Sequence, residues 1–276
     1  MKNKVIFFGN GILSEVVLAV LEQECQIIFH AKTKDDLAQA VAEKQQHPEA
    51  HGVLASFGVL IREDVLAAFE PEGILNIHPS LLPLYRGASP IESAILAGDT
   101  EFSVSVMKLV KAMDAGPIYY QQTFFGDEIA KSTNQDLAMP GLPREKSAIY
   151  EKLGQAGAKW LGSHLGKLPE PTPQDDNEAT FCGKFTKADG ALTPETEPRA
   201  TILRKIVAFS GFPKAKCHVC GLPCTILEAH LPVQGETAPL TLDCLDGPLV
   251  LDRLQPDGRK AMDAKAFLNG YGGRAS

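Results

Sequence analysis

No apolar run among the 276 residues approaches the roughly 20 needed to span a bilayer as a helix, so a helical membrane protein is not expected. Cysteine is scarce. The six residues at positions 25, 182, 217, 220, 224 and 244 are too sparse for a disulfide framework, and in a reducing compartment they stand as thiols or metal ligands. No small-residue cleavage site follows Met1-Lys2-Asn3-Lys4, which runs straight into an apolar strand, so no signal peptide is read and a cytoplasmic location is expected. A large positive excess is also missing, and the net charge of −7 argues against non-specific coating of a nucleic acid. What is present is an ordinary globular composition, 44% hydrophobic and 22% charged. The length suggests about two domains at roughly 150 residues each. The charge is uneven: residues 1–179 hold 15 Lys and Arg against 24 Asp and Glu, whereas residues 180–276 hold 12 against 10.

Short apolar runs alternate with helical patterns. Strands are expected over 5–8, 26–29, 51–57, 73–78, 102–110 and 118–123. A helix capped near Ser14, then helices over 34–46, 62–70, 88–97 and 145–165, complete an α/β domain with a mostly parallel, Rossmann-like sheet over residues 1–168. Ligands of such sheets bind at the carboxyl ends of the strands. Residues 169–179 carry three prolines and four acids and read as a stiff, solvated linker, extended to 197. A helix near 198–209 follows. Short β-like runs at 215–219, 224–229, 240–244 and 249–254 then suggest a small β-barrel, OB-like, over residues 198–276. Gly9-Asn10-Gly11 lacks the third glycine of a dinucleotide fingerprint, since Ser14 stands there, and reads as a tight turn.

The most informative segment is Asn76-Ile77-His78-Pro79-Ser80-Leu81-Leu82-Pro83. Asn76 and His78 are two apart on a strand and share a face, and Pro79 ends the strand where ligands bind. An amide donor beside an imidazole can hold the oxygen of a carbonyl turning tetrahedral. Asp114, in the turn Met113-Asp114-Ala115-Gly116-Pro117, could orient that imidazole. No Ser or Cys stands at a nucleophile elbow nearby, which suits transfer to a nucleophile carried by the substrate. Taken as bare residues, the Asn and His serve equally well as capping and loop groups.

The whole string resembles formyltransferases that use 10-formyltetrahydrofolate. It runs from Asn76 to Pro83, then through Arg86-Gly87-Ala88-Ser89-Pro90-Ile91 and the turn carrying Asp114. The Arg-Gly-Ala-Ser-Pro-Ile extension is more similar to methionyl-tRNA formyltransferases than to glycinamide ribonucleotide formyltransferases. Phe185-Thr186-Lys187-Ala188-Asp189-Gly190, Ile206-Val207-Ala208-Phe209 leading to Pro213, and the stretch 254–262 resemble their C-terminal domain. The resemblance covers nearly the whole chain and is weakest over 30–50 and 130–145. It implies that Asn76, His78 and Asp114 are catalytic, and that Ser80, Leu81, Leu82 and Pro83 run along the folate. Phe57, Gly58 and Leu60 would line the pterin pocket. The reaction implied is formyl transfer to the α-amine of initiator methionyl-tRNA for translation initiation, by a monomer without a metal. In it Asn76 and a protonated His78 stabilise the oxyanion, and Asp114 keeps the histidine charged and relays the amine proton.

Some features depart from that pattern. The long basic loop expected after the second strand is absent, and only Lys32 and Lys34 remain there as phosphate contacts. Phe102-Ser103-Val104-Ser105 replaces a Thr-Gly-Val-Thr, and residues 134–145 look like an insertion. A small amine, such as an amino-sugar nucleotide, is therefore the alternative acceptor. Lys205, Lys214 and Lys216 in the tail favour tRNA, and Arg86 is a candidate contact for the folate or the 3′ end. Cys217, Cys220, Cys224 and Cys244 have part of a zinc-knuckle spacing, but the second pair lacks it and no metal is expected. Tyr119, Tyr120 and Trp160 are read as packing.

Overall fold

The computed structural model describes residues 2–133 and 137–272. They divide into two compact units, the first comprising Met1–Pro90, Glu101–Phe124 and Ser147–Gly183, the second Ile91–Thr100, Phe125–Lys146 and Lys184–Ser276. These units do not follow the boundaries read from the sequence. Two internal segments of the expected catalytic domain group with the tail, and most of the expected linker groups with the first unit.

The first unit is built on β1 (Lys4–Gly9), β2 (Gln26–Ala31), β3 (His51–Ala55), β4 (Ile74–His78), β5 (Arg86–Gly87), β6 (Glu101–Lys108), β7 (Ile118–Phe125) and the later β10 (Phe181–Cys182). Six strands form one sheet in the order β2-β1-β3-β4-β6-β7. The first four are parallel, as expected, and β6 runs antiparallel to β4. Helices α1 (Ile12–Glu24), α2 (Leu37–Gln46) and α3 (Glu63–Ala68) lie between these strands in sequence, and α6 (Lys146–His164) follows them. All five residues of β4 are buried, which is why the segment reads as apolar with only Asn76 and His78 interrupting it. The strand order reverses between β1 and β3, so the loops after β1, β3 and β4 share one edge of the sheet.

The turn after β1 is tight because Gly9 has no side chain: a Cβ there would lie 2.3 Å from the Ser14 hydroxyl and 2.6 Å from the Ala55 carbonyl oxygen. Gly11, not Ser14, caps α1, and Ser14 is buried inside the helix against that turn. The ring of Phe8 meets Phe57 and Phe69 edge-on at 5.9 and 5.6 Å, anchoring the loop after β3 in the core. Tyr120, Trp160 and His164 form a stack, with centroids 4.9 and 4.3 Å apart, so their faces are spent on each other. His30 sits 3.0 Å from the Gly9 carbonyl oxygen and His51 pairs with Glu72.

Residues 169–179 are not a free linker. Thr172 and Ile118 exchange both backbone hydrogen bonds at 2.8 Å, and β10 then adds in parallel to β5. The prolines prevent a continuous ladder but leave single N–H groups, such as that of Thr172, to bridge.

The second unit contains most of α4 (Pro90–Ala97), then α5 (Gly126–Ser132), the pair β8 (Leu137–Met139) and β9 (Leu142–Pro143), and α7 (Arg199–Ala208). It continues with β11 (Lys216–Val219), β12 (Leu222–His230), β13 (Thr241–Cys244), β14 (Gly247–Pro256), β15 (Met262–Asp263) and α8 (Ala264–Tyr271). Of the expected insertion, residues 134–136 lie outside the described residues. The late strands form an antiparallel sheet in the order β11-β12-β14-β13, with β15 on β14. This antiparallel sheet is the core of the small C-terminal β domain expected from the sequence. Cys217 and Cys224 face each other across β11 and β12, and burial pushes the Cys217 thiol up to about 12. Among the described residues no group of three or more His, Cys, Asp or Glu side chains gathers as a metal site.

His230 lies between two carboxylates in this unit, with Nδ1 2.8 Å from Asp252 and Nε2 3.0 Å from Glu236. Burial alone would lower its pKa, but the hydrogen bonds to Asp252 and Glu236 outweigh it and the net shift is upward. A raised folded-state pKa contributes stability below the unfolded value of about 6.5, and that stability is lost as pH rises through the folded value. The stability difference between the parent protein and His230→Asn should therefore be larger at pH 5.5 than at pH 8.5 in urea unfolding. A difference independent of pH would contradict this.

Candidate active site

At the carboxyl end of β4, strand alternation aims Asn76 and His78 to one face, and both are buried. The loop between β6 and β7 brings Asp114 to them. Asn76 Nδ2 lies 3.4 Å from Asp114 Oδ1, and His78 Nδ1 lies 3.8 Å from the same oxygen. The three residues singled out from the sequence thus meet around one carboxylate oxygen. The other, Oδ2, accepts the Gly87 backbone N–H at 2.8 Å. His78 Nε2 lies 3.0 Å from the Tyr85 carbonyl oxygen. A carbonyl can only accept, so this bond places a proton on Nε2 and leaves Nδ1 as the nitrogen that faces the site.

The loop after β4 is pinned from below by residues that the sequence reading did not single out. Ser105, directly opposite His78 on β6, donates to the Ser80 carbonyl at 2.6 Å and accepts the Leu82 N–H at 3.2 Å. Gln121 of β7 donates to the Leu82 carbonyl at 2.8 Å and to Ser105 at 3.0 Å. Buried serines two apart on β6, Ser103 and Ser105, were the available signal, since a polar residue on a buried strand needs a partner. In this loop Ser80 and Leu82 are buried, Pro83 gives its carbonyl to the Thr180 N–H at 3.2 Å, and Leu81 is exposed. After β3, Phe57 is buried, Gly58 has φ 70 with open space where a side chain would stand, and Leu60 is 78% exposed.

Gly87 is constrained on both sides. Its φ is 127°, and a Cβ would fall 2.0 Å from the Cys182 carbonyl oxygen. Gly87→Ala should displace β5 from β10, release Asp114 Oδ2, and lower both stability, by about 2 kcal/mol or more, and turnover. An unchanged Tm and kcat would contradict the placement.

Several expected substrate contacts have partners within the chain. Arg86 is only 4% exposed, and its guanidinium is spent on Gln174 and on Asp176 at 2.7 Å, so it is a buried brace and does not reach outward. In the second unit, Lys205 pairs with Glu197 and donates to the Ala191 carbonyl, while Lys216 pairs with Asp257 at 3.1 Å. Lys32, Lys34 and Lys214 are exposed.

The sequence resemblance implied a formyl transferase, and on the family the comparisons with known proteins agree. The chain matches the family model described as formyl transferase over residues 14–152, and that described as formyl transferase, C-terminal domain, over residues 184–272. It is 33% identical over 231 residues to a methionyl-tRNA formyltransferase of Granulibacter bethesdensis, covering 79% of this chain and 67% of that protein. Among solved structures it is similar in fold to a methionyl-tRNA formyltransferase from Clostridium thermocellum, with TM-score 0.66, 16% identity, and coverage of 93% and 99% of the two chains. WlaRD, a sugar 3N-formyl transferase, shares the fold at TM-score 0.63 and 16% identity over 94% and 99% of the two chains. HypX from Aquifex aeolicus in complex with tetrahydrofolic acid matches at TM-score 0.70 and 16% identity; 98% of this chain is covered, but this chain spans only about half of that one, 47%. No helix of the described residues is long and apolar enough to cross a membrane. By both of its matched segments and by the curated relative, the chain belongs to the formyl transferase family.

Proposed function

We propose that the chain transfers a formyl group from 10-formyltetrahydrofolate to the α-amine of initiator methionyl-tRNA in the cytoplasm. The observation that carries this reading is the convergence of Asn76 Nδ2 and His78 Nδ1 on Asp114 in a chain of this family. The neutral amine attacks the formyl carbon, a new C–N bond forms, and the bond from that carbon to N10 of the folate breaks. The amine loses a proton, routed through Asp114 and water, and N10 of the leaving tetrahydrofolate gains one. An α-amino group with a pKa of about 7.7–8.0 is partly neutral at pH 7, so no strong base is required. Asn76 Nδ2 and His78 Nδ1 hold the oxygen that becomes negative in the tetrahedral intermediate, and because Nε2 already donates to Tyr85, Nδ1 can donate only from the doubly protonated ring. The donor folate would lie along the loops after β3 and β4, a placement supported by the exposed Leu60 and Leu81 and by the hold of Gln121 on the Leu82 carbonyl.

Incubation with 10-formyltetrahydrofolate and charged initiator tRNA should yield formylmethionyl-tRNA. Failure with folded protein, alongside formylation of an amino-sugar nucleotide, would replace the acceptor and leave the transfer reaction standing. Salt separates the two acceptors. With the three exposed lysines, Lys32, Lys34 and Lys214, on phosphates, log affinity for tRNA should fall with log salt at a slope of about −2 to −3, whereas a small sugar substrate should respond little.

A further inference from the structure

We infer that Gln174 is a positioning residue that holds the turn carrying Asp114, an inference that rests on the reading of Asp114 as part of the reacting site. Asp114 has φ 49, in the left-handed region that a non-glycine residue keeps only when its surroundings hold it there. Gly87 holds its side chain, and Gln174 holds its backbone. Gln174 Nε2 donates to the carbonyls of Asp114 at 2.8 Å and Gly116 at 2.7 Å, gripping both ends of the turn. The other end of the same amide accepts from Arg86 Nε at 3.0 Å and Nη2 at 2.8 Å.

Chemistry dictates this orientation. Arginine only donates and carbonyls only accept, so an amide rotated by 180° would lose all four bonds. The buried Arg86 cation thus braces the amide oxygen, and the amide passes the constraint to the turn. Arg86 follows β4 by a few residues, whereas Gln174 arrives 60 residues after Asp114 in the segment bridged to Ile118. A neutral side chain with both its donors on backbone carbonyls acts on Asp114 by placing it. That role also accounts for a proline-rich, acidic stretch lying against the first unit, where the sequence alone suggests a solvated tether.

The test compares two substitutions. Gln174→Met keeps length and loses every hydrogen bond. Gln174→Glu still accepts from Arg86 but cannot donate to either carbonyl. Both should lower kcat by about ten- to a hundredfold and leave the KM for 10-formyltetrahydrofolate within about twofold. If Gln174 served only to satisfy Arg86, the Glu variant would keep the parent kcat, and the inference would fall. Asp114→Asn provides the background that separates the inference from the reading beneath it. Once Asp114→Asn has cost its own activity, adding Gln174→Met should cost less than about twofold more. A full multiplicative loss would overturn the positioning role and spare the role of Asp114. Parent-like kcat in Asp114→Asn alone would overturn both. Circular dichroism and thermal melts of each variant show that it is folded, and if the Met variant does not fold, the Glu variant carries the comparison.

Discussion

Replacing Asn76 by alanine is expected to lower kcat by about 10²- to 10³-fold, the loss typical of one removed oxyanion donor, or roughly 2.7–4 kcal/mol of transition-state stabilisation. The size follows from the surroundings. Asn76 is 4% exposed and its Nδ2 lies 3.4 Å from Asp114, a long contact that leaves the N–H available to an oxygen arriving in the site. Buried among β3, β4 and β6, the amide needs little reorganisation when charge develops, so its effect is concentrated in the transition state. The loss should fall on kcat more than on KM. A single-turnover formyl-transfer assay that found less than about a fivefold loss would remove Asn76 from the reaction.

His78→Ala should be at least as damaging, with a loss of about 10²- to 10⁴-fold in kcat. The ring is held at Nε2 by the Tyr85 carbonyl at 3.0 Å, and this turns Nδ1 toward Asp114, 3.8 Å away. Truncation removes the second oxyanion donor and leaves the Asp114 carboxylate in a mostly buried site without its imidazole neighbour. Because Asn76 and His78 would hold one oxygen, their effects should not multiply. The double variant should be only modestly slower than the worse single one, as in other sites whose groups act as a unit. Retention of more than about a tenth of parent activity in His78→Ala, with the variant folded, would refute the assignment.

Much of this site was legible in the sequence because its parts are local. Asn76 and His78 are two apart on one strand, Pro79 ends that strand, and period-two alternation is enough to place both side chains together. The parallel strands before them were legible for a similar reason, since short apolar runs separated by helical patterns admit few other arrangements. Asp114 stands 36 positions after His78, beyond β5, α4 and β6, so the sequence offered it only as a carboxylate able to orient the imidazole, and the resemblance to the family singled it out. The burial of Arg86 was not legible. A lone arginine in a loop beside an active site reads as a ligand contact, and nothing in its neighbours announces the glutamine and aspartate, 88 and 90 residues away, that bury it. The same long range hid the roles of Ser105 and Gln121, whose hydrogen bonds pin the loop after β4.

By itself, then, the sequence determined the parallel sheet, the donor pair at the end of β4 and the family to which the chain belongs. These depend on periodicity, turn chemistry and a long ordered motif, all of which act over a few residues. Only the tertiary structure decided where the compact units divide, which lysines pair with carboxylates, and how residues 169–183 return to brace the site. Those outcomes depend on burial and on hydrogen-bond partners far apart in the chain. A buried polar group must be paired, but the rule does not say by whom. For Arg86 the partners are Gln174 and Asp176, in a stretch whose composition suggests only a tether.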